Sequence, residues 1–199
     1  MVWHRQVHPP QPGGCSCKHL MRETAFSSFL ARIDTADYRI CRRLNRGASR
    51  SLIRKPFQLI SRLGDGIFWY VLIMLLPVIY GLQAVKPAIV MAITGLLGVT
   101  IYGVLKRWFV RERPFIRHAG ISQVGAPLDR YSFPSGHTLH AVSFTWQASV
   151  HFPELAWVLV PLAALIAASR VVLGQHYPTD VIAGAILGAC LAQFGLAFT

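Results

Sequence analysis

The sequence predicts an all-α integral membrane bundle of about five spans, preceded by N-terminal helices that lie in the membrane interface. Three observations predict it. Hydrophobic residues make up 53% of the 199 residues and charged residues only 14%, a balance that a water-soluble globule does not show. Apolar runs of membrane-crossing length recur from Gly66 onward. The formal net charge of +12 lies in two segments that flank those runs. Residues 1–65 carry twelve Lys or Arg against Glu23, Asp34, Asp37 and Asp65. Residues 106–130 carry six against Glu112 and Asp129, and elsewhere Lys86 and Arg170 balance Glu154 and Asp180. This pattern suits anionic lipid or phosphate. It does not suit a nucleic acid, because no basic stripe is interleaved with a soluble fold.

The chain divides into three parts. Residues 1–17 read as a disordered tail: His4, His8, Cys15, Cys17 and His19 match no standard zinc spacing, and no apolar core of a signal peptide is visible. The four cysteines build no disulfide framework. In residues 18–65, apolar positions such as Phe29, Ile33, Tyr38, Ile40, Leu44, Leu52 and Phe57 recur among arginines, and no run is clean enough to span. Amphipathic helices in the interface, with Arg on the wet face, are the expectation. A basic helix packed on a partner protein is the alternative.

Residues 66–199 form the membrane domain. Gly66–Leu82 is a first span, with aromatics near one end and Pro77 as an expected kink. Lys86-Pro87 marks a turn. Ala88–Leu105 is a second span, with Gly95, Gly98 and Gly103 for close packing. Lys106–Pro134 is polar and basic. Thr138–Phe152, Leu155–Val172 and Thr179–Phe198 are the remaining spans, the last with Gly184, Gly188 and Ala192 on one face as a seam for helix contact. Parity then brings three polar segments to one membrane face: the N-terminal region with Lys106–Pro134, and Ser169–Tyr177.

On that face stand Lys106, Arg113-Pro114, Pro134-Ser135-Gly136-His137, Ser169-Arg170, His176 and Asp180. Pro134 and Gly136 break regular structure, and Ser135-Gly136 opens a helix whose free N–H groups can hold an anion. Taken alone, Pro-Ser-Gly-His reads equally as a Ser-capped helix with an incidental His. Together the pieces describe a phosphate site without a metal. Lys106, Arg113 and Arg170 are cationic donors, Ser135 and the Gly136 N–H are neutral ones, and His137 and His176 are imidazoles that titrate near neutrality. Asp180, in the first turn after Tyr177-Pro178, can fold back on His176 and fix its tautomer. No carboxylate pair with metal-ligand spacing accompanies them, and no cofactor is implied. His140 reads as a packed residue, and Arg107, Arg111, Arg117 and Arg130 read as facing headgroups or water.

The three motifs, with their spacing, resemble those of the type 2 phosphatidic acid phosphatase superfamily, which includes bacterial undecaprenyl-diphosphate phosphatases and vanadium-dependent haloperoxidases. The motifs cover Lys106 to Asp180, and the five-span pattern extends the likeness from Gly66 to the end. The resemblance implies a membrane phosphatase domain over 66–199 that hydrolyses a lipid phosphate or diphosphate, most of all a polyprenyl diphosphate. Phosphatidic acid, phosphatidylglycerophosphate and transfer to another acceptor are the alternatives. It implies that His176 is the nucleophile, Asp180 its orienting partner and His137 the acid and then the base. Lys106, Arg113, Ser135, Gly136 and Arg170 would hold the phosphoryl oxygens. Net charge alone places the N-terminal side in the cytoplasm, whereas bacterial members of the family face outward. An inner-membrane protein with a periplasmic site is the expectation.

Overall fold

The computed structural model describes residues 17–123 and 130–199. The tail expected over residues 1–17 lies almost wholly outside them. Among the described residues the chain is helical, with one isolated β-bridge between Glu112 and Tyr131. Helix α1 is Cys17–Gly47 and α2 is Ser51–Leu63; α3 is Ile67–Tyr80, α4 is Val85–Trp108, and a short α5 is Pro114–Arg117. The last three, α6 at Gly136–His151, α7 at Ala156–Val172 and α8 at Pro178–Leu196, complete the order. The chain falls into two compact units, Met1–Ala36 and Asp37–Thr199. The second holds the C-terminal part of α1 and every later helix.

Among the described residues, three helical stretches are long and apolar enough to cross a membrane: Ile67–Trp108, Pro153–Val172 and Pro178–Leu196. The first, at 42 residues, has the length of two passes. It is divided by a 3-10 turn at Gly81–Ala84, where Gly81 takes a φ of +74° that only glycine adopts freely. The turn expected at Lys86-Pro87 falls earlier, because Pro87 sits in the first turn of α4, where no intrahelical N–H is lost. Large apolar side chains face outward all along these helices: Ile67, Met74, Val78 and Leu82 on α3 and its turn, Ile89, Ile93 and Leu96 on α4, Trp157 and Val158 on α7. Lipid is the solvent that accommodates such a belt.

The interior is packed around α6. Trp69, Ile73 and Leu76 of α3, Met91 of α4, Phe144 and Ala148 of α6, and Ala163 and Ile166 of α7 form the core. Helix α6 lies against α4, α7 and most extensively α8. The α6–α8 contact is made by the expected small-residue seam. A Cβ on Gly184 would stand 2.5 Å from the Ser135 carbonyl oxygen, and one on Gly188 would come closer still to that of Leu139. Those separations are possible only for hydrogen, so the two backbones touch.

The interfacial reading of the N-terminal helices misses the buried face of α1. Asp37, Cys41, Asn45 and Ala48 are buried, while Ile40 and Leu44 are exposed. The spacing of three and four residues makes one helical stripe. Asn45 clasps two segments with its amide: Nδ2–H donates to the carbonyls of Ser122 and Val172 at 3.1 and 3.0 Å, and Oδ1 accepts from Ser122 N–H at 2.9 Å. Cys41 lies under the same chain reversal, its thiol 3.8 Å from the Val171 carbonyl oxygen and 4.0 Å from that of His176. Burial, with the negative charges of Asp37 and Asp180, pushes that thiol up to about 12.

Candidate active site

The loop between α7 and α8 carries His176, and its shape is set by backbone bonds. The Arg170 carbonyl accepts from both Gln175 N–H (3.0 Å) and His176 N–H (3.1 Å). Gly174, at φ +71°, makes the reversal, and a Cβ there would collide with Ile121, Asn45 and Ser122. His176 is 2% exposed. Its Nδ1 donates to the Ser132 carbonyl at 2.6 Å. A carbonyl oxygen only accepts, so the proton sits on Nδ1 and Nε2 keeps its lone pair. Nε2 faces the Arg113 guanidinium, 3.4 Å away. Burial, then the charges of Arg170, Arg113 and Lys106, hold the imidazole well below its usual range. At neutral pH it is a neutral base whose Nε2 lone pair faces Arg113, among three buried cations.

Each of those cations is buried. Arg113 is 2% exposed and donates to the Gln175 carbonyl at 2.9 Å. Arg170 donates to the Ser61 hydroxyl of α2. Lys106 stands in the last turn of α4, with its ammonium 4.6 Å from the Tyr102 ring centre. Three buried positive charges this close repel one another, and an anion placed among them would relieve that repulsion. Ser135 is the N-cap of α6, in extended backbone conformation. Its hydroxyl pairs with the Thr138 hydroxyl at 2.9 Å rather than with a backbone N–H. The first-turn N–H groups, including that of Gly136, therefore have no side-chain cap and remain available to an oxyanion. Ser135 N–H in turn donates to the Asp180 carbonyl at 3.0 Å, which ties the start of α6 to the start of α8.

The carboxylate of Asp180 does not make the direct hydrogen bond that its spacing suggests. Oδ2 stands 3.9 Å from His176 Nδ1, and the Ser132 carbonyl takes that proton instead. Asp180 spends its oxygens elsewhere: Oδ2 accepts from Tyr177 N–H at 2.9 Å and Oδ1 from Arg111 Nη1 at 2.7 Å. Arg111, expected to face headgroups or water, turns inward. It lies over the Tyr177 ring at 4.1 Å and forks between Asp180 and Asp37, reaching Asp37 Oδ2 at 2.8 Å. Asp37 also accepts from Thr179 N–H at 3.1 Å and from its hydroxyl. Ser132, Arg111 and Asp37 are thus the supports that sequence reasoning misses. Only Ser132, inside the Ser-Phe-Pro-Ser-Gly-His run, lies near a visible signal.

His137 follows Ser135 into the first turn of α6, and its Nε2 meets Asp65 Oδ1 at 2.6 Å. His140 is held by the Gly136 carbonyl (2.9 Å) and the Gly95 carbonyl (3.2 Å), in keeping with a packed residue. Beside His137 opens a cavity of about 540 Å³ between α3, α4 and α6. Its walls are Trp69, Tyr70, Ile73 and Met74 on one side and Ala92, Leu96 and Val99 on the other, with Asp65 and His137 at one end.

Comparison with known proteins settles the lineage. The PAP2 superfamily model matches residues 83–199. The chain belongs to the PAP2 superfamily. It is similar to the undecaprenyl-diphosphatase BcrC of Bacillus subtilis, with 31% identity over 126 residues, 63% of this chain and 64% of that one. It is also similar to the decaprenylphosphoryl-5-phosphoribose phosphatase of Mycolicibacterium smegmatis, with 48% identity over 86 residues, 41% of this chain and 43% of the relative. The chain therefore spans less than two thirds of either relative's length. Among solved structures, that of Aquifex aeolicus LpxE superimposes with a TM-score of 0.70 at 28% identity, covering 80% of this chain and 94% of that one. The PAP2 helical bundle accounts for the fold seen here.

Proposed function

We propose that this PAP2 protein is a membrane lipid phosphate phosphatase that works through a phosphohistidine on His176, with a polyprenyl diphosphate as its leading substrate. The observation that carries the reading is the neutral His176, its Nε2 lone pair facing Arg113 while Nδ1–H is spent on Ser132. In the first step Nε2 attacks phosphorus and the P–O bond to the lipid breaks, with His137 giving its proton to the departing oxygen. In the second, water gives a proton to His137 and its oxygen displaces Nε2, freeing inorganic phosphate. Lys106, Arg113, Arg170, Ser135 and the Gly136 N–H hold the phosphoryl oxygens through both steps. Asp180 acts on His176 through the Tyr177 backbone that its carboxylate holds, as an orienting group. No step calls for a metal, because the three cations supply the positive charge that one would bring.

The cavity beside His137 is apolar and faces the bilayer helices, so it suits the lipid chain of the leaving group. The likeness to BcrC and to a decaprenyl-linked phosphatase supports an isoprenoid chain over an acyl one. The test is phosphate release by purified protein in detergent from a polyprenyl diphosphate, phosphatidic acid and phosphatidylglycerophosphate, in the presence of chelator, with His176→Ala as control. The expected result is release from the polyprenyl diphosphate at the highest kcat/KM, an acid-labile phosphoenzyme in wild type, and neither in the variant. Label passing to a lipid or sugar acceptor without phosphate release makes the protein a phosphotransferase. Loss of activity in chelator, restored by a divalent ion, overturns the mechanism.

A further inference from the structure

We infer that Asp65, on the link between α2 and α3, is a positioning residue for His137: it holds Nε2–H and fixes the ring, so that Nδ1 can serve as the acid. The inference rests on the phosphohistidine reading and deepens it. It starts from the 2.6 Å contact between Asp65 Oδ1 and His137 Nε2. With Nε2 spent on the carboxylate, Nδ1 is the nitrogen left for the leaving oxygen. On the carboxylate side, the hydrogen bond to His137 holds the Asp65 carboxyl below its usual range.

The link is built for this contact. A Cβ on Gly64 would lie 2.9 Å from His137 Cδ2 and 3.0 Å from Ile166 Cγ2, and Gly66 turns at φ +103°. Glycine on both sides lets the backbone press against the imidazole and then reverse into α3. Four residues earlier, Ser61 receives Arg170. The end of α2 and its link thus brace a phosphate-binding arginine and the acid together.

The surroundings of His137 make the carboxylate necessary. Burial disfavours the charged ring. Arg170 from α7, His140 one turn along α6 and His176 from the α7–α8 loop all face it or its neighbourhood. Each of them, when charged, disfavours a second positive charge. Asp65 opposes them. During turnover, Nδ1 gives its proton to the leaving oxygen while Nε2–H stays on Asp65. The neutral imidazole then takes a proton from water at Nδ1. Asp65 itself remains ionised throughout, as an orienting carboxylate does.

The test uses the full chain in detergent and single-turnover phosphoenzyme formation with an alkyl and an aryl phosphate, over a range of pH. Asp65→Asn should slow the alkyl substrate about 10²-fold, the size of a lost general acid, and the aryl substrate only a few-fold. The alkaline limb for the alkyl substrate should move to lower pH, because the imidazolium has lost its partner. Asp65→Glu should recover part of the alkyl rate, and vanadate should bind both variants as tightly as wild type. Equal slowing of both substrates, an unmoved alkaline limb, or weakened vanadate binding in both variants would make Asp65 a structural brace and end the proposal. A wild-type protein that forms no phosphohistidine sinks the underlying reading instead. A phosphohistidine formed equally well with Asp65→Asn sinks only this one.

Discussion

At the scale of single residues, the fork of Arg111 between Asp37 and Asp180 shows why spacing alone misassigns both ends of it. Asp180 four residues after His176 suggests one carboxylate for one imidazole. In three dimensions the carboxylate is shared with a guanidinium from a distant segment, and a backbone carbonyl orients the ring. Backbone acceptors carry no residue signature, so the part played by the Ser132 carbonyl is invisible in sequence. Arg111 looks like its neighbours Arg107 and Arg117 until Asp37 is brought beside it. Replacing Arg111 by Ala strands two buried carboxylates, and we expect a loss of about 3–5 kcal/mol, read as thermal unfolding in detergent. Lys at this position should restore little, because it cannot fork. The depressed His176 carries its own pH consequences. The free enzyme's acid limb in kcat/KM should fall below the ordinary imidazole range, since Nε2 stays unprotonated there. Stability follows the same sign. Between the native pKa and the unfolded value near 6.5, the unfolded chain binds a proton that native His176 refuses. The stabilisation is therefore full above that value and drains away as pH falls below it. Unfolding temperature against pH should lose part of this slope in His176→Gln, and an unchanged slope would assign it to other groups.

At the scale of elements, the apolar helices α3, α4, α7 and α8 and the α8 seam are legible because each rests on a local pattern: a long apolar run, or small residues at fourth positions. Helix α6, expected as a span, is 16 residues and is not among the stretches long and apolar enough to cross. The α1 face is not legible. Asp37, Cys41 and Asn45 are polar or small, so a reading by hydrophobicity gives them no packed face, whereas the bundle buries them and leaves Ile40 and Leu44 exposed. Burial of a polar stripe is decided by partners that are remote in sequence. The seam gives a graded prediction. Gly184→Ala and Gly188→Ala each force the α6 and α8 backbones apart and should cost about 1–3 kcal/mol in thermal unfolding. Only Gly184 presses on Ser135, so Gly184→Ala should also lower kcat/KM, while Gly188→Ala should leave it nearly unchanged. Equal kinetic effects would mean that the seam acts on the site only through overall stability.

For the whole molecule, the question is where the N-terminal helices stand relative to the catalytic face. Asp37 of α1 meets Arg111 and Thr179, and Asn45 meets Ser122 and Val172. Arg111, Ser122 and Val172 lie on the two polar segments that parity assigns to one side of the membrane, and Thr179 is in the first turn of α8 just after the second. A bilayer between α1 and the α4–α6 loop would have to pass through these hydrogen bonds. We therefore expect Arg50 and Gln123 to share a side. Single cysteines at those two positions, in a protein whose native cysteines are replaced, should both react with an impermeant maleimide added to the same face of sealed vesicles. Labelling from opposite faces would require an odd number of crossings between the two positions, with α2 crossing as well as α3 and α4, or only one of α3 and α4 crossing, which these contacts forbid. The same experiment decides which side it is. Net charge argues for the cytoplasm, but Lys106, Arg113 and Arg170 are committed to the site and Arg111 to its carboxylates, so they should be discounted from a topology count. With that discount the α4–α6 loop loses most of its weight, while the arginines of α1 and α2 still favour the cytoplasm. The periplasmic orientation expected from the family likeness predicts that maleimide added outside intact spheroplasts labels both cysteines, and labelling only after lysis would place the site in the cytoplasm.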